Sequence, residues 1–343
     1  MGRIIRITLL VGAAIVLIFA LFAYNNFILS NQVPKLDDPW ISIPTNSSFD
    51  EVVQLLHQKG VVKNESAFRW LSNYMEYNRD PMRSGRFKLE EGWTAIQLIR
   101  HLRGGKQSTI NMVISNGRLL EDVAGKVSQF LEPDSSDFMA IFKDKSYLKE
   151  IGYSDETLMS LFIPNTYDVY WNSSPEGFMK RMLKEHKSFW EQKGRKKKAN
   201  ALNLTPAEVY TLASIVERET TQNKEKPRMA GVYLNRLEKG MLLQADPTSV
   251  FARKDFGARR VTDYHTKFDN PYNTYMYKGL PPGPISMASI ASIDAVLNAE
   301  DHSYIYFCAK GDGTGFHNFA KTLAKHNQNA ATYRANLKKR GLR

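Results

Sequence analysis

The sequence is poor in cysteine and lacks the short signatures of phosphate, metal and serine chemistry. Its 343 residues contain a single cysteine, Cys308, which excludes an internal disulfide framework and any cysteine-rich zinc module. No His-Glu-x-x-His pattern, no phosphate-cradling glycine loop and no Gly-x-Ser-x-Gly setting for a serine nucleophile occurs. Neither a long repeat nor a low-complexity tract is evident, and 43% hydrophobic with 24% charged residues excludes wholesale disorder.

Charge is missing altogether between Arg6 and Lys35, and Ile7 to Tyr24 is almost wholly apolar. About 20 such residues cross a hydrocarbon core as a helix. Arg3 and Arg6 precede the run, which keeps the N-terminus cytoplasmic by the positive-inside tendency. The expectation is a single-pass anchor in the inner (cytoplasmic) membrane, with everything after about residue 30 on the periplasmic, extracytoplasmic side. A cleaved signal peptide is the alternative, with Leu21 to Ala23 near a processing point. Against it, the apolar run exceeds a usual signal core, and Tyr24-Asn25-Asn26-Phe27 is a poor small-residue cleavage site.

Lys and Arg number 47 against 35 Asp and Glu, a net charge of +12. An exported domain meets no chromosome and no nucleic-acid motif accompanies the charge, so nucleic acid is not expected as a partner. Attraction to anionic headgroups or acidic wall polymers remains open. The densest basic stretch, Lys180 to Lys198 with Arg195 to Lys198 at its end, reads as a solvated loop between helices.

The pattern predicts an α+β protein. Residues 1–29 form the N-terminus and anchor, 30–47 a polar tether with Pro34, Pro39 and Pro44, 48–131 a small α+β module, and 132–343 a larger mixed α/β domain. Ser48-Phe49-Asp50-Glu51 is a capping box opening a helix, and Glu65 to Tyr77 reads as a second helix. Ser84 to Leu89 alternates like a strand. A helix closed by Gly104-Gly105, a strand from Thr109 to Ser115 and a helix from Arg118 to Phe130 follow. Short strands and helices in so few residues suit a binding module. Asp134 to Asn200 reads as mainly helical, with an irregular segment at 161–167. Asp269 to Pro284 reads as a loop able to build a groove, and Ser303 to Ala309 as a buried strand.

Thr205-Pro206-Ala207-Glu208 is the clearest helix start: Thr at the cap, Pro at the first helical position, Glu three residues after the cap. At 100° per residue, Glu219 falls on the same side as Leu212, Ile215 and Val216, whereas Glu217 and Arg218 read as solvated. A carboxyl on an apolar face is costly unless paired or protonated. Burial raises its pKa and suits it to general acid work, and a structural ion pair is the alternative. Downstream, Gln244, Asp246 and Thr248, then Tyr272-Asn273-Thr274-Tyr275, supply the amide, carboxyl and aromatic groups of a sugar-binding cleft. No metal site is expected from His317, His326 and Cys308.

Five blocks in register carry a resemblance. Ala213 to Glu219 (ASIVERE), Val232 to Leu237 (VYLNRL), Leu243 to Thr248 (LQADPT), Tyr272 to Tyr275 (YNTY) and Gly279 to Gly283 (GLPPG) resemble the endolytic murein transglycosylases, the MltG or YceG-like family. The resemblance covers nearly the whole chain and implies an anchor, a LysM-like module and a catalytic domain. It departs from the family at Gly85-Arg86-Phe87, where a Gly-x-Tyr is frequent, and at Ala245, where some relatives have Thr. It implies Glu219 as the catalytic residue, on the helix that carries the ASIVERE block. The implied reaction cleaves the β-1,4 bond between N-acetylmuramic acid and N-acetylglucosamine within nascent glycan strands, leaves 1,6-anhydro ends and terminates elongation. Gln244, Asp246, Thr248, Asn273 and Tyr275 are the candidates for holding substrate. No cofactor is implied; peptidoglycan synthases are implied as partners. A hydrolytic glycosidase, with Asp246 as second carboxyl, and a non-catalytic wall-binding scaffold are the alternatives.

Overall fold

A computed structural model describes residues 2–25 and 30–342. It opens with helix α1 (Gly2–Tyr24). Within it, Arg6–Tyr24 has a mean hydropathy of 2.6 with no part buried, long and apolar enough to cross a membrane. The chain divides into two compact units: Met1–Asn111 with Phe130–Pro133 and Asp168–Ser174, and Met112–Gln129 with Asp134–Tyr167 and Pro175–Arg343.

In the first unit, strand β1 (Trp40–Ile43), helices α2 (Phe49–Gln58) and α3 (Glu65–Tyr74) and strand β2 (Gly85–Lys88) follow in order. The two strands pair antiparallel, Ile41 opposite Phe87. The capping box of α2 is formed: Ser48 N donates to Glu51 at 2.7 Å and Glu51 N returns the bond to Ser48 Oγ at 3.3 Å. Helix α4 (Ala95–Gly104) completes a core in which Ile43, Leu56, Phe68, Phe87, Leu98 and Leu102 are fully buried. Each such side chain contributes about 1.5–3 kcal/mol by leaving water.

The segment expected to be a tether belongs mostly to this fold. Asn31 and Val33 are buried. The Asn31 side chain accepts from Lys63 N (2.8 Å) and Asn64 N (2.7 Å) and donates to Asn64 O (2.8 Å), and Val33 N donates to Trp93 O at 2.8 Å. A short polar segment looks like a linker in sequence because hydrogen bonds to a distant helix start leave no periodic trace.

Strand β3 (Thr109–Ile114) forms a two-stranded sheet with β4 (Asn165–Tyr170), a strand within the stretch expected to be mainly helical. Residues 112–129, grouped by sequence with the small module, pack in the second unit. There α5 (Leu120–Val127), α6 (Ser135–Phe142) and α7 (Lys145–Glu150) precede β4, and α8 (Pro175–Glu191) and α9 (Arg195–Ala201) follow it. Next come α10 (Pro206–Glu219), α11 (Lys226–Glu238), α12 (Asp246–Arg253), α13 (Asp263–Thr266) and α14 (Ile290–Leu297). The strands β5 (Tyr306–Ala309) and β6 (His317–Ala320) pair antiparallel. Only these four residues of the 303–309 segment are strand, and they are half-buried rather than buried. Helix α15 (Leu323–Lys339) ends the chain.

Helix α10 is the hub of this unit. Every residue from Val209 to Val216 is buried, and α11 and α14 pack against it. Its polar groups are tied to the loop before α14: Ile285 N donates to Ser214 Oγ (3.0 Å), and Ala288 N to Tyr210 Oη (3.1 Å). Such bonds satisfy buried donors that would otherwise cost about 1–3 kcal/mol each.

The basic run is not a solvated loop. Arg195 to Ala201 is helix, and Arg195 is buried, with a two-pronged ion pair to Asp294 (2.7 and 3.0 Å). Glu217, expected to be solvated, is half-buried: it accepts from Lys226 Nζ at 3.0 Å and from the hydroxyls of Ser289 and Ser292. Those bonds hold its pKa below the usual carboxylate value although burial opposes them.

Candidate active site

Helix α10 stops at Glu219 because Thr220 turns to an extended conformation, φ −146°. Its side chain then accepts from Gln222 N at 3.0 Å. The carboxyl of Glu219 therefore projects from the negative end of a helix dipole, an unfavourable place for a second negative charge. Tyr233, one helix on, donates its hydroxyl to Glu219 Oε1 at 2.7 Å. Burial raises the Glu219 pKa to about 7; the Asp246 charge adds to the rise, and the Tyr233 hydrogen bond and Arg236 oppose it. Near neutral pH the carboxyl is thus divided between its acid and base forms, the condition for donating and later accepting one proton.

Gln244 takes a positive φ of 48° in the turn that leads into α12. Arg236, itself buried, braces that turn by donating to Leu243 O (2.7 Å) and ties it to the residue just before β5 through Ile305 O (2.7 Å). Asp246 begins α12 exposed, and Tyr275 donates to its Oδ1 at 2.5 Å. Burial first, then this bond to a carboxylate, pushes the Tyr275 pKa up.

Glu219 and Asp246 line two cavities. One, of about 260 Å³, extends past Arg118, Arg218, Pro247 and Phe256. The other, of about 350 Å³, extends past Arg236, Gln244, Tyr275, Tyr306 and His326. The Glu219 carboxyl is thus common to both linings.

Four of the six expected site residues come together: Glu219, Gln244, Asp246 and Tyr275. The other two do not face the cavities. Thr248 is fully buried, bonded to Ala245 O (2.6 Å) and to the Thr274 hydroxyl (2.8 Å). Asn273 is fully buried too, donating to the carbonyls of His265, Thr266 and Phe268 at 3.2, 3.1 and 2.7 Å. Both serve as brackets for the loops that carry Gln244 and Tyr275. Asn273→Ala is expected to cost about 2–3 kcal/mol by stripping buried carbonyls of their donor. A lowered urea midpoint checks it; an unchanged midpoint with weakened glycan binding would return Asn273 to the cleft.

The sequence reading did not single out Tyr233, Arg236, Tyr306, Arg118 or Arg218, all of which line or brace the two cavities. Tyr233 and Arg236 stood inside the VYLNRL block, three residues apart and hence on one helix face, a signal that could have singled them out.

Comparison with known proteins follows the same geometry. The YceG-like family model matches residues 41–332. An endolytic murein transglycosylase of Bacillus subtilis (strain 168) is 29% identical over 313 residues, 85% of this chain and 84% of that protein. One of Streptococcus pneumoniae (strain R6) is 25% identical over 327 residues; the match spans 85% of this chain and 58% of the longer relative. The crystal structure of a YceG-like protein from Listeria monocytogenes superposes with a TM-score of 0.54 at 26% identity, covering 86% of this chain and 99% of that one. A match over most of the chain, together with a related fold, shows that this chain belongs to the YceG-like family.

Proposed function

We propose that this protein is a membrane-anchored endolytic lytic transglycosylase of peptidoglycan. The observation that carries the reading is Glu219, a carboxyl with a pKa near 7 at the meeting of two cavities. The names of its relatives, endolytic murein transglycosylases, support the same substrate and reaction. Protonated Glu219 gives its proton to the glycosidic oxygen leaving N-acetylmuramic acid C1. The resulting carboxylate accepts the proton of the muramic 6-hydroxyl as O6 bonds to C1. One glycosidic bond breaks, one 1,6-anhydro bond forms, and no water is consumed. Holding the nucleophile within the substrate supplies the proximity advantage. Asp246, set by Tyr275, offers negative charge to the oxocarbenium-like state, and Gln244 offers an amide to sugar hydroxyls.

Arg3 and Arg6 favour a cytoplasmic N-terminus, with the chain after about residue 30 outside the inner membrane. The β1-α2-α3-β2 order with antiparallel strands supports a LysM-like module. Its cavity of about 320 Å³, lined by Thr45, Asn46, Glu51, Gln54 and Gln58, offers hydrogen-bonding groups to glycan. Synthases that extend nascent strands are the partners this activity implies.

Incubation with peptidoglycan, followed by product masses, tests the reading. Fragments ending in anhydromuramic acid, one water lighter than hydrolysis products, are expected. Ordinary reducing ends would make the protein a hydrolase with Asp246 as second carboxyl, and binding without cleavage would make it a scaffold.

Tyr233→Phe gives a separate check on the acid. Losing the hydrogen bond that lowers the Glu219 pKa keeps the carboxyl protonated to higher pH, so the alkaline limb of the rate profile moves upward. A limb that stays in place would detach Tyr233 from the acid.

A further inference from the structure

We propose that the exposed face of α3 rests on the lipid headgroups of the membrane from which α1 emerges, holding the first unit against the bilayer. The proposal rests on the reading of α1 as a membrane anchor. Ser66, Trp70, Asn73 and Tyr74 recur at three- and four-residue spacing along α3 and are all exposed, one continuous stripe along the helix, and exposed Lys63 stands just before the helix start. Trp70 is 56% exposed and Tyr74 76%. Their rings stack, planes 1° apart and centroids 5.7 Å apart, which sets two amphipathic aromatic side chains side by side on the exposed stripe. The acid of α3, Glu65, lies off this stripe and is paired with Arg69 at 2.7 Å. A Trp–Tyr pair with a lysine at one end is the composition of a membrane interface. The ring bodies enter the acyl boundary and the polar edges stay among headgroups.

Connectivity names the occupant. The Asn31 side chain is clamped to the backbone of Lys63 and Asn64, the start of α3. From Tyr24, the end of the apolar helix, the chain to Asn31 spans at most about 25 Å even fully extended. Trp70 and Tyr74 then lie only about 9 and 15 Å beyond Asn64 along the helix. The start of α3 therefore cannot leave the neighbourhood of the bilayer, and its aromatic pair lies within reach of the headgroups. Glycan is the rival occupant of an exposed aromatic pair. The same unit already has a polar cavity suited to sugars, lined by Thr45, Asn46, Gln54 and Gln58, and no residue of the α3 stripe lines it.

The test uses the full chain in vesicles of phosphatidylethanolamine and phosphatidylglycerol, with and without acyl chains brominated close to the headgroup. Trp70→Phe is measured beside the parent, so their difference isolates one of the five tryptophans. At least a twofold quenching of the Trp70 component by brominated lipid is expected. Equal emission from that component with and without bromine overturns the proposal. So does a component that responds only to added glycan strands, which assigns the face to sugar. Alkaline extraction of the same vesicles separates the two readings. A chain that washes off removes the anchor and the α3 contact together. A chain that stays in with Trp70 unquenched removes the α3 contact alone.

Discussion

Glu219→Gln is expected to lower the formation of anhydro ends by about 10²–10⁴-fold, the usual worth of a positioned general acid, while glycan binding persists. Glutamine keeps the shape and can still accept from Tyr233, but it carries no transferable proton. Counting anhydromuramic ends in matched digests measures the effect. A variant retaining more than a tenth of the activity would remove Glu219 from the chemistry. The same substitution has a signature in stability. The folded pKa of about 7 stands above the ordinary 4.5, so between those values the folded state binds the proton more tightly than the unfolded one. Stability linked to Glu219 is therefore fully present below pH 4.5, falls as pH rises to 7, and stays low beyond, a loss of about 3 kcal/mol. Glu219→Gln lacks this slope. Urea unfolding should find it matched to the parent near pH 4 and more stable at pH 8. Gain of stability with loss of activity is the mark of a group held in an unfavourable place for its chemistry.

The second large effect concerns the frame behind α10. The Arg195 guanidinium makes its two-pronged contact with Asp294 and stacks over the Phe189 ring at 3.9 Å. Its side chain is 4% exposed, whereas that of Asp294 is 30% exposed. Removing either partner breaks the ion pair, but the two remainders differ. Asp294→Ala strands a buried cation and is expected to cost about 4–5 kcal/mol; Arg195→Met leaves an acid that water can reach and is expected to cost about 2–3 kcal/mol. Denaturant midpoints of the two variants check the order. Equal losses would mean that the guanidinium finds water or another carboxylate once Asp294 is gone.

Legibility from sequence followed the range of the interaction concerned. The capping boxes at Ser48 and Thr205 were readable because cap and partner lie three residues apart. The inward turn of Glu219 was readable because helical periodicity alone sets it. The partners of Glu217 were not, since Ser289 and Ser292 lie more than seventy residues downstream. Asn273 shows the same limit in reverse. A polar residue in a groove-forming loop suggests a ligand, yet its donor is spent on three carbonyls of its own loop.

The sequence by itself determined the apolar N-terminal helix, the small α+β module, the helix that ends on Glu219 and the kinship of its five blocks. All of these are local patterns of polarity, capping and spacing. Only the tertiary structure decided what surrounds Glu219. Tyr233 reaches it from α11, Asp246 and Arg236 set opposing charges beside it, and two cavities meet there. A pKa depends on water excluded and charges brought near in space, and those distances exist only after the chain has packed.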